Sequence, residues 1–357
     1  MGEPQDKLRW IDALSLTLEG RGWDADALAH RYDRLPAHAE HAASEAVWRQ
    51  ARQTTGFAVR FETDAAQIHA RAILRRPPDN PDQYIKWLDL YARDGDVWRY
   101  AATSTHGFVP SGRTPIIANL SGRRTFLLNL PLTYSLERIE IGVPPEATVT
   151  AAPAGSTRPV AVYGTSVVRG SSASRPGMTY PAILRRRLDR PVLNLGFSGA
   201  ARCEPPLGRI LAELDPAVYV IDPIPNMNLA TIETNAEPFL RELLAARPTT
   251  PVLMVGARRH AHHWIAPGYL ERWKREDDRW RALHEKLAAE ADAPWRYVDG
   301  ATLLGADCDD TVDGSHPSDL GFHRMADAIE PDLRALLRAS DRDSAATTSA
   351  PDRRDAN

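Results

Sequence analysis

Two separate segments of this chain carry side chains that could together form a nucleophilic hydroxyl site. Ser166 lies in the stretch GTSVVRG, where glycines on either side permit a tight turn and leave backbone N–H groups pointing outward. Far along the chain, Asp313 precedes His316 by three residues in VDGSHPSD. This spacing lets the carboxylate hold the Nδ1–H of the imidazole and leaves Nε2 to take a proton from a serine. The alternatives are a helix N-cap for Ser166 and a surface position for His316.

Two further residues could stabilise negative charge on a reacting oxygen. Gly199 follows the apolar run VLNLGF, and Asn226 follows AVYVIDPIP. A glycine N–H and an asparagine side-chain amide are donor types that stabilise an oxyanion, each typically worth about 10² to 10³ in rate. Each residue alone is also an ordinary turn residue, so the joint pattern matters more than either member.

The second half of the chain predicts the sheet that would bring these residues together. Over residues 158–338, the short apolar runs VAVYG, VLNLG, AVYVID, VLMVG and WRYVD alternate with helical patterns. Such runs indicate a parallel sheet covered by helices on both faces, so we predict a flavodoxin-like, doubly wound α/β domain with five strands. Ligands bind beyond the carboxyl ends of such strands, which is where all the candidate residues fall.

The first 150 residues predict a smaller, jelly-roll-like antiparallel β-sandwich instead. Runs such as FAVRFET, IHARAIL and TFLLNL are separated by turns rich in Pro, Gly and Asn. Residues 143–159 contain four prolines and no helical period, so we predict a linker there. The last segment, 339–357, has no large apolar residue, and we expect it to be disordered.

A basic and aromatic segment, RRHAHHW, follows the fourth predicted strand. We predict that it contacts substrate through Arg258, Arg259, His260, His262, His263 and Trp264. Two alternatives stay open, namely solvated loop histidines and metal ligation, and the lack of nearby acidic residues makes metal ligation the less favoured. We therefore predict no metal and no other cofactor.

Composition limits the classes of partner. With 44 basic and 47 acidic side chains in 357 residues the net charge is -3, so we predict neither nucleic-acid nor membrane binding. The two cysteines, Cys203 and Cys308, are too few for a disulfide framework or a four-thiolate zinc site. No apolar run reaches the ~18 residues of a membrane span and no secretion signal is visible, so we expect a cytoplasmic protein unless a leader has been removed.

The candidate residues, in the motifs Gly164-Thr165-Ser166, Gly199, Asn226 and Asp313–His316, resemble the SGNH (GDSL-type) superfamily of esterases and lipases. The resemblance spans about residues 160–338. The stretches YDRLPAHAE, FAVRFETDA and WLDLYARDGDVWRY in the first half resemble the β-sandwich that precedes the catalytic domain in one bacterial branch.

The resemblance implies a role for each candidate residue. Ser166 would be the nucleophile, His316 the base and Asp313 the third triad member. The Ser166 and Gly199 N–H groups and the Asn226 amide would form the oxyanion hole. The chain departs from the usual motifs at Thr165, where Asp is usual, at PNMN, which leaves Asn228 as an alternative to Asn226, and at Trp87, which replaces the Gly of G-x-D-L-Y.

By this resemblance we expect a serine esterase that hydrolyses small acyl esters, acetyl esters above all, of a carbohydrate or related polar metabolite. An acyltransferase using the same acyl-enzyme and a catalytically inert glycan-binding protein are the alternatives. The expected partners are the ester substrate and, in a homo-oligomer, further copies of the chain.

Overall fold

The structure is a computed structural model that describes residues 7–75, 88–104, 112–154 and 158–349. Trp87 therefore lies outside the described residues. The amino-terminal strands are β1 Arg9–Asp12, β2 Thr17–Glu19, β3 Ala58–Thr63, β4 Ile68–Leu74, β5 Asp89–Asp94, β6 Val97–Thr103, β7 Thr114–Ile117, β8 Arg124–Asn129, β9 Leu136–Val143 and β10 Val149–Ala151. They pair antiparallel in a four-stranded sheet (β1-β9-β4-β7) and a six-stranded sheet (β10-β3-β8-β5-β6, with β2 also on β3).

Aromatic and branched side chains on the inner faces of the two sheets form the sandwich core. Phe61 of β3 lies directly opposite Phe126 of β8, and their rings stack at 5.6 Å. Ile139 and Ile141 of β9 pack in the same cluster from the other sheet. The predicted antiparallel domain is thereby confirmed.

Part of the segment predicted as a linker is a strand. Val149–Ala151 form β10 and pair with Phe61–Thr63 of β3 at the edge of the six-stranded sheet. The prolines of this segment flank β10 rather than interrupt it, and an edge position needs only one row of backbone hydrogen bonds. The prediction of a linker over 143–159 is therefore wrong for these residues.

Five parallel strands form the sheet of the second domain. They are β11 Val160–Gly164, β12 Val192–Gly196, β13 Val218–Asp222, β14 Val252–Val255 and β15 Trp295–Val298, in the order β12-β11-β13-β14-β15. This order confirms the flavodoxin-like, doubly wound prediction. The central strands are buried on both faces, which explains their continuous apolar sequence.

Helices cover both faces of this sheet. In the described residues they are α1 Ala39–Ala42, α2 Glu45–Ala51, α3 Ser166–Arg169, α4 Tyr180–Leu188, α5 Pro205–Leu211, α6 Leu229–Thr231, α7 Glu237–Ala246, α8 Pro267–Glu290 and α9 Asp319–Ser349. Side chains of α4 and α9 form the core on one face, and those of α5, α7 and α8 form the core on the other. None of the helices that the structure describes is long and apolar enough to cross a membrane.

The last helix is longer than the sequence predicts. Helix α9 continues to Ser349, so the expected disorder of residues 339–357 is wrong as far as residue 349, and residues 350–357 lie outside the described range. Extending an existing helix adds one hydrogen bond per residue, whereas starting one requires a costly first turn. Polar residues can therefore continue a helix that the apolar face of α9 has already fixed.

The amino-terminal domain is joined to the sheet by a buried arginine. Arg34 donates to the carbonyl oxygens of Asn194 (2.8 Å) and Gly196 (2.9 Å) of β12, and its guanidinium lies 4.7 Å from the Phe197 ring centroid. Helices α1 and α2 likewise pack into the core of the second domain, although they lie within the first 150 residues. The amino-terminal domain thus contacts the strand end that leads to Gly199.

Candidate active site

The turn after β11 presents Ser166 at the edge of the sheet. Thr165 is the N-cap of α3, and its Oγ1 accepts a hydrogen bond from Val167 N at 3.3 Å. The alternative of Ser166 as a helix N-cap is therefore wrong, because the preceding residue takes that position. Threonine also supplies the capping oxygen that an aspartate would provide there.

Ser166, His316 and Asp313 form a continuous chain of hydrogen bonds. Ser166 Oγ lies 3.0 Å from His316 Nε2, and His316 Nδ1 lies 2.7 Å from Asp313 Oδ2. The other oxygen, Asp313 Oδ1, accepts from the backbone N–H groups of Ser315 (2.9 Å) and His316 (2.7 Å). The sequence separates Ser166 from His316 by 150 residues, and the fold brings them into contact.

The hydrogen bonds around Asp313 keep it ionised. Partial burial alone would raise the pKa of this carboxyl, but donation from the His316 backbone and ring and from the Ser315 N–H lowers the pKa to about 2. An ionised Asp313 can only accept hydrogen bonds, so it holds the proton of the imidazole on Nδ1. Nε2 is then the nitrogen that faces Ser166 with a free electron pair.

Gly199 and Asn226 lie in turns on either side of Ser166, because β12 and β13 both pair with β11. Gly199 has a φ of +69° and faces open space, with no heavy atom within 4 Å of an added Cβ. The Asn226 amide, oriented with its oxygen toward the neighbouring donors, accepts from the N–H groups of Gly199 (3.2 Å) and Ala200 (3.3 Å). The two predicted oxyanion-hole residues are thus in contact, and the Gly199 N–H is engaged by Asn226.

The structure separates the roles of the two asparagines of PNMN. Asn228 is the N-cap of α6, where its Oδ1 accepts from Thr231 N and Thr231 Oγ1, both at 2.9 Å. Asn226, in contrast, points to the Gly199 turn. Asn226 is therefore the better candidate for the oxyanion hole.

The segment 258–264 packs against the loop that carries Asp313 and His316. Arg258 Nη1 donates to Ser315 O at 3.1 Å, and Ala261 N donates to Gly314 O at 2.9 Å. His260 and His262 are so close to Gly314 that a Cβ there would lie 2.6 Å and 2.8 Å from their Cε1 atoms. These residues therefore support the loop that carries Asp313 and His316.

Two further residues of this segment, His263 and Trp264, contact the segment itself or the solvent. His263 Nδ1 is 2.9 Å from His260 O, and Trp264 is 71% exposed at the surface. Within the ranges that the structure describes, no group of three or more His, Cys, Asp and Glu side chains could hold a metal ion.

Sequence reasoning missed a glutamine that holds the Gly199 turn from the amino-terminal domain. Gln50 of α2 donates from Nε2 to Ser198 O (2.9 Å) and accepts from Ser198 N at Oε1 (2.7 Å). Nothing in the local sequence marks Gln50, since 148 positions separate it from its partner. Arg34, by contrast, lies within the stretch YDRLPAHAE that supports the resemblance.

A buried carboxyl, Asp222, lies at the end of β13 beneath the candidate site. It is fully buried, accepts a hydrogen bond from Tyr180 Oη at 3.2 Å, and leaves Oδ1 without a hydrogen-bond partner. Burial raises its pKa to about 6, although the Arg258 charge and the Tyr180 hydroxyl act in the opposite direction. Among the described residues, no hydrogen bond or ion pair joins Asp222 to Ser166, His316 or Asp313, so we place it outside the reaction.

Family models match both domains of the chain. Residues 157–334 match the GDSL-like lipase/acylhydrolase family, and residues 8–149 match the GxDLY model, described as the N-terminus of SGNH-hydrolase-type esterases. No curated protein sequence matches the chain.

Solved structures share the arrangement of both domains. A protein from Bacteroides ovatus described as a GDSL-like lipase is 27% identical with a TM-score of 0.85, covering 93% of this chain and 98% of that one. The salicylyl-acyltransferase SsfX3 from a tetracycline biosynthetic pathway is 18% identical with a TM-score of 0.74, covering 94% and 98%. A family two carbohydrate esterase from Cellvibrio japonicus is 13% identical with a TM-score of 0.59, covering 93% and 99%.

The last two likenesses show the fold alone. The two family matches cover the sandwich and the α/β domain in the order expected from the sequence. The chain therefore belongs to the SGNH (GDSL-type) hydrolase superfamily, in the branch that carries an amino-terminal β-sandwich.

Proposed function

We propose that this protein is a serine esterase in which Ser166 is the nucleophile, His316 the general base and Asp313 the residue that orients the imidazole. The observation that carries the proposal is the 3.0 Å separation of Ser166 Oγ and His316 Nε2, with Asp313 on the opposite nitrogen. This arrangement is the one in which a serine hydroxyl can lose its proton as it attacks a carbonyl.

The reaction proceeds in two acyl-transfer steps. Ser166 Oγ attacks the ester carbonyl carbon while its proton moves to His316 Nε2, and the resulting imidazolium is stabilised by Asp313. The imidazolium then donates that proton to the leaving alkoxide as the ester C–O bond breaks. Water attacks the acyl-enzyme in the same way, with His316 again as the base, and the acid leaves with Ser166 restored.

The developing oxyanion would be stabilised by three donors, the N–H groups of Ser166 and Gly199 and the Asn226 amide. Ser166 is the first residue of α3, so its N–H has no acceptor within the helix. The Gly199 N–H is held by the Asn226 oxygen in the free protein. It must therefore exchange this acceptor for the substrate oxygen as the tetrahedral intermediate forms.

We propose small acyl groups, acetyl above all, on a carbohydrate or related polar metabolite as the substrate class. The likeness in fold to the Cellvibrio japonicus carbohydrate esterase supports it. The likeness to the salicylyl-acyltransferase favours a second candidate, transfer of the acyl group from Ser166 to an acceptor other than water. Product analysis with a polyhydroxy acceptor present distinguishes the two, since transfer yields a new ester and hydrolysis yields free acid.

Serine replacement tests the proposal directly. In Ser166→Ala we expect turnover of 4-nitrophenyl acetate to fall at least ~10³-fold and labelling by a serine-reactive phosphonate to disappear. The matched control is Ser171→Ala, which removes a hydroxyl from the same loop and should retain both the turnover of 4-nitrophenyl acetate and the phosphonate labelling. Wild-type turnover in Ser166→Ala, or a wild-type protein that the phosphonate does not label, would refute the nucleophile. The latter result would support the glycan-binding alternative.

A further inference from the structure

A cavity of about 160 Å³ opens beside the Asp313–His316 loop and has no role in the mechanism above. Ser315 lines it from that loop, and Ile224 and Pro225 line it from the turn that leads to Asn226. The opposite walls come from residues 257–260 and the first turns of α8. Ligand pockets usually enclose about 300 to 1,000 Å³, so this cavity fits one substituent of a substrate held at Ser166.

Three arginines line the cavity, and they differ in how their charges are compensated. Arg272 Nε is paired with Glu276 Oε1 at 2.8 Å. Arg258 is half-buried with Nη1 on Ser315 O and Nε without a hydrogen-bond partner. Burial lowers the pKa of Arg258, and the negative charge of Asp222 opposes that effect, so Asp222 partly balances this cation.

Arg259 is the uncompensated charge. In the part of the chain that the structure describes, it forms no ion pair with a carboxylate; its guanidinium lies over the Trp273 ring at 4.7 Å. Trp273 is itself fixed, because its Nε1 donates to Ala257 O. Stacking of this kind holds the planar guanidinium in place and leaves its N–H groups free for a further acceptor.

An oxyanion is the ligand that such a site binds best. Carboxylates and phosphates accept two parallel hydrogen bonds from a guanidinium, and a charged acceptor makes each bond about twice as strong as a neutral one. Trp273 and Ile224 contribute apolar surface to the walls, and charges attract more strongly beside such surface than in open water.

We infer that this cavity binds a carboxylate or phosphate substituent of the ester substrate, with Arg259 as the specificity-determining residue and Arg258 as a second donor. The inference rests on the proposed esterase function of Ser166. It narrows the substrate class to esters that carry a negative charge close to the reacting carbonyl.

Matched ester pairs test this inference. One pair is the acetate of 3-hydroxybenzoate against that of 3-hydroxybenzamide, and the other is acetylated glycerol phosphate against acetylated glycerol. We expect kcat/KM to be at least ~10-fold higher for the anionic member of one pair, and the pair that shows it identifies carboxylate or phosphate. Equal or lower kcat/KM for both anionic members, in a protein that hydrolyses the neutral ones, would overturn the inference.

Two variants distinguish an effect of the cavity from an effect of the overall charge of the protein. Arg259→Gln should reduce the anionic-to-neutral ratio of kcat/KM to near one. Arg275→Gln removes a charge from an exposed position of α8 outside the cavity and should leave that ratio unchanged. A ratio that survives Arg259→Gln, or falls equally in both variants, would contradict a role for Arg259.

Binding to Ser166→Ala distinguishes failure of the inference from failure of the proposed function. Calorimetry with the same compounds should show at least ~10-fold tighter binding of an anionic member, lost when Arg259→Gln is added. If the wild type hydrolyses no ester but binds an anionic member more tightly, the anion-site inference is supported and the esterase proposal is refuted. If the neutral esters are hydrolysed and no preference for an anionic member is measured, the anion-site inference is refuted and the esterase proposal is kept.

Discussion

Replacing the buried Asp222 by asparagine should change how the stability of the fold depends on pH. Compared with the wild type, the variant should gain stability as the pH rises from acid to neutral. The carboxyl is fully buried, and its pKa in the folded protein is raised from 3.8 to about 6. The folded chain therefore binds more protons at this residue than the unfolded chain between these two pH values. Stability contributed by Asp222 accordingly falls as the pH rises through that window, and Asp222→Asn removes the fall.

The magnitude follows from the difference of the two pKa values. A shift of 6 − 3.8 = 2.2 units corresponds to about 3 kcal/mol in the free energy of unfolding, at about 1.36 kcal/mol per unit. Most of this difference develops between about pH 4 and about pH 8. Asparagine keeps an oxygen for Tyr180 and adds an unpaired N–H₂, which gives a destabilisation that does not depend on pH.

The assay is urea unfolding of wild type and Asp222→Asn at both pH values, followed by tryptophan fluorescence. The quantity of interest is the difference in unfolding free energy between the two proteins, and it should shift by about 2 to 3 kcal/mol in favour of Asp222→Asn at the higher pH. Tyr180→Phe is the comparison variant: it keeps the carboxyl and removes a hydrogen bond that lowers the pKa of Asp222, so its pH dependence should be at least as large as that of the wild type. A difference that is constant with pH would refute the assignment of a buried, destabilised carboxylate.

Three further substitutions test how the site is held. Gln50→Leu removes both hydrogen bonds to the Ser198 backbone and should lower kcat for an acetate ester ~10-fold with little change in KM. An unchanged kcat would show that α2 does not contribute to the site. Gly314→Ala adds both strain at φ +89° and contacts with His260 and His262, so it should destabilise the fold and lower kcat more than Gly122→Ala, which adds strain alone at φ +72°. Thr165→Ala should lower the unfolding free energy by ~1 kcal/mol, whereas Thr165→Asp, which keeps a capping oxygen, should not.

The sequence predicts the sheet and the position of Ser166 because both depend on local patterns. Four of the five strands of the parallel sheet, β11 to β14, are buried on both faces, so each appears as a short continuous apolar run. Parallel strands also end at a common edge, and this places Ser166 and the Asp313–His316 pair on one side of the domain before any contact is known.

The supports of the site depend on contacts that leave no local pattern. Gln50 meets Ser198 across the domain boundary, and an isolated glutamine in a short helix has no special signature. The β10 strand and the end of α9 were mispredicted for a related reason. Both are extensions of structure fixed elsewhere, the first by pairing with β3 and the second by the packed part of its own helix.

These supports reach the three parts of the site from different directions. Ser166 follows β11, and the loop of Asp313 and His316 is held by the segment after β14, through Arg258 and Ala261. The turn of Gly199 depends on the amino-terminal domain, through Gln50. Among the described residues, no hydrogen bond from the amino-terminal domain reaches Ser166, His316 or Asp313, so we expect Gln50→Leu to act on the Gly199 turn rather than on the Ser166–His316 contact.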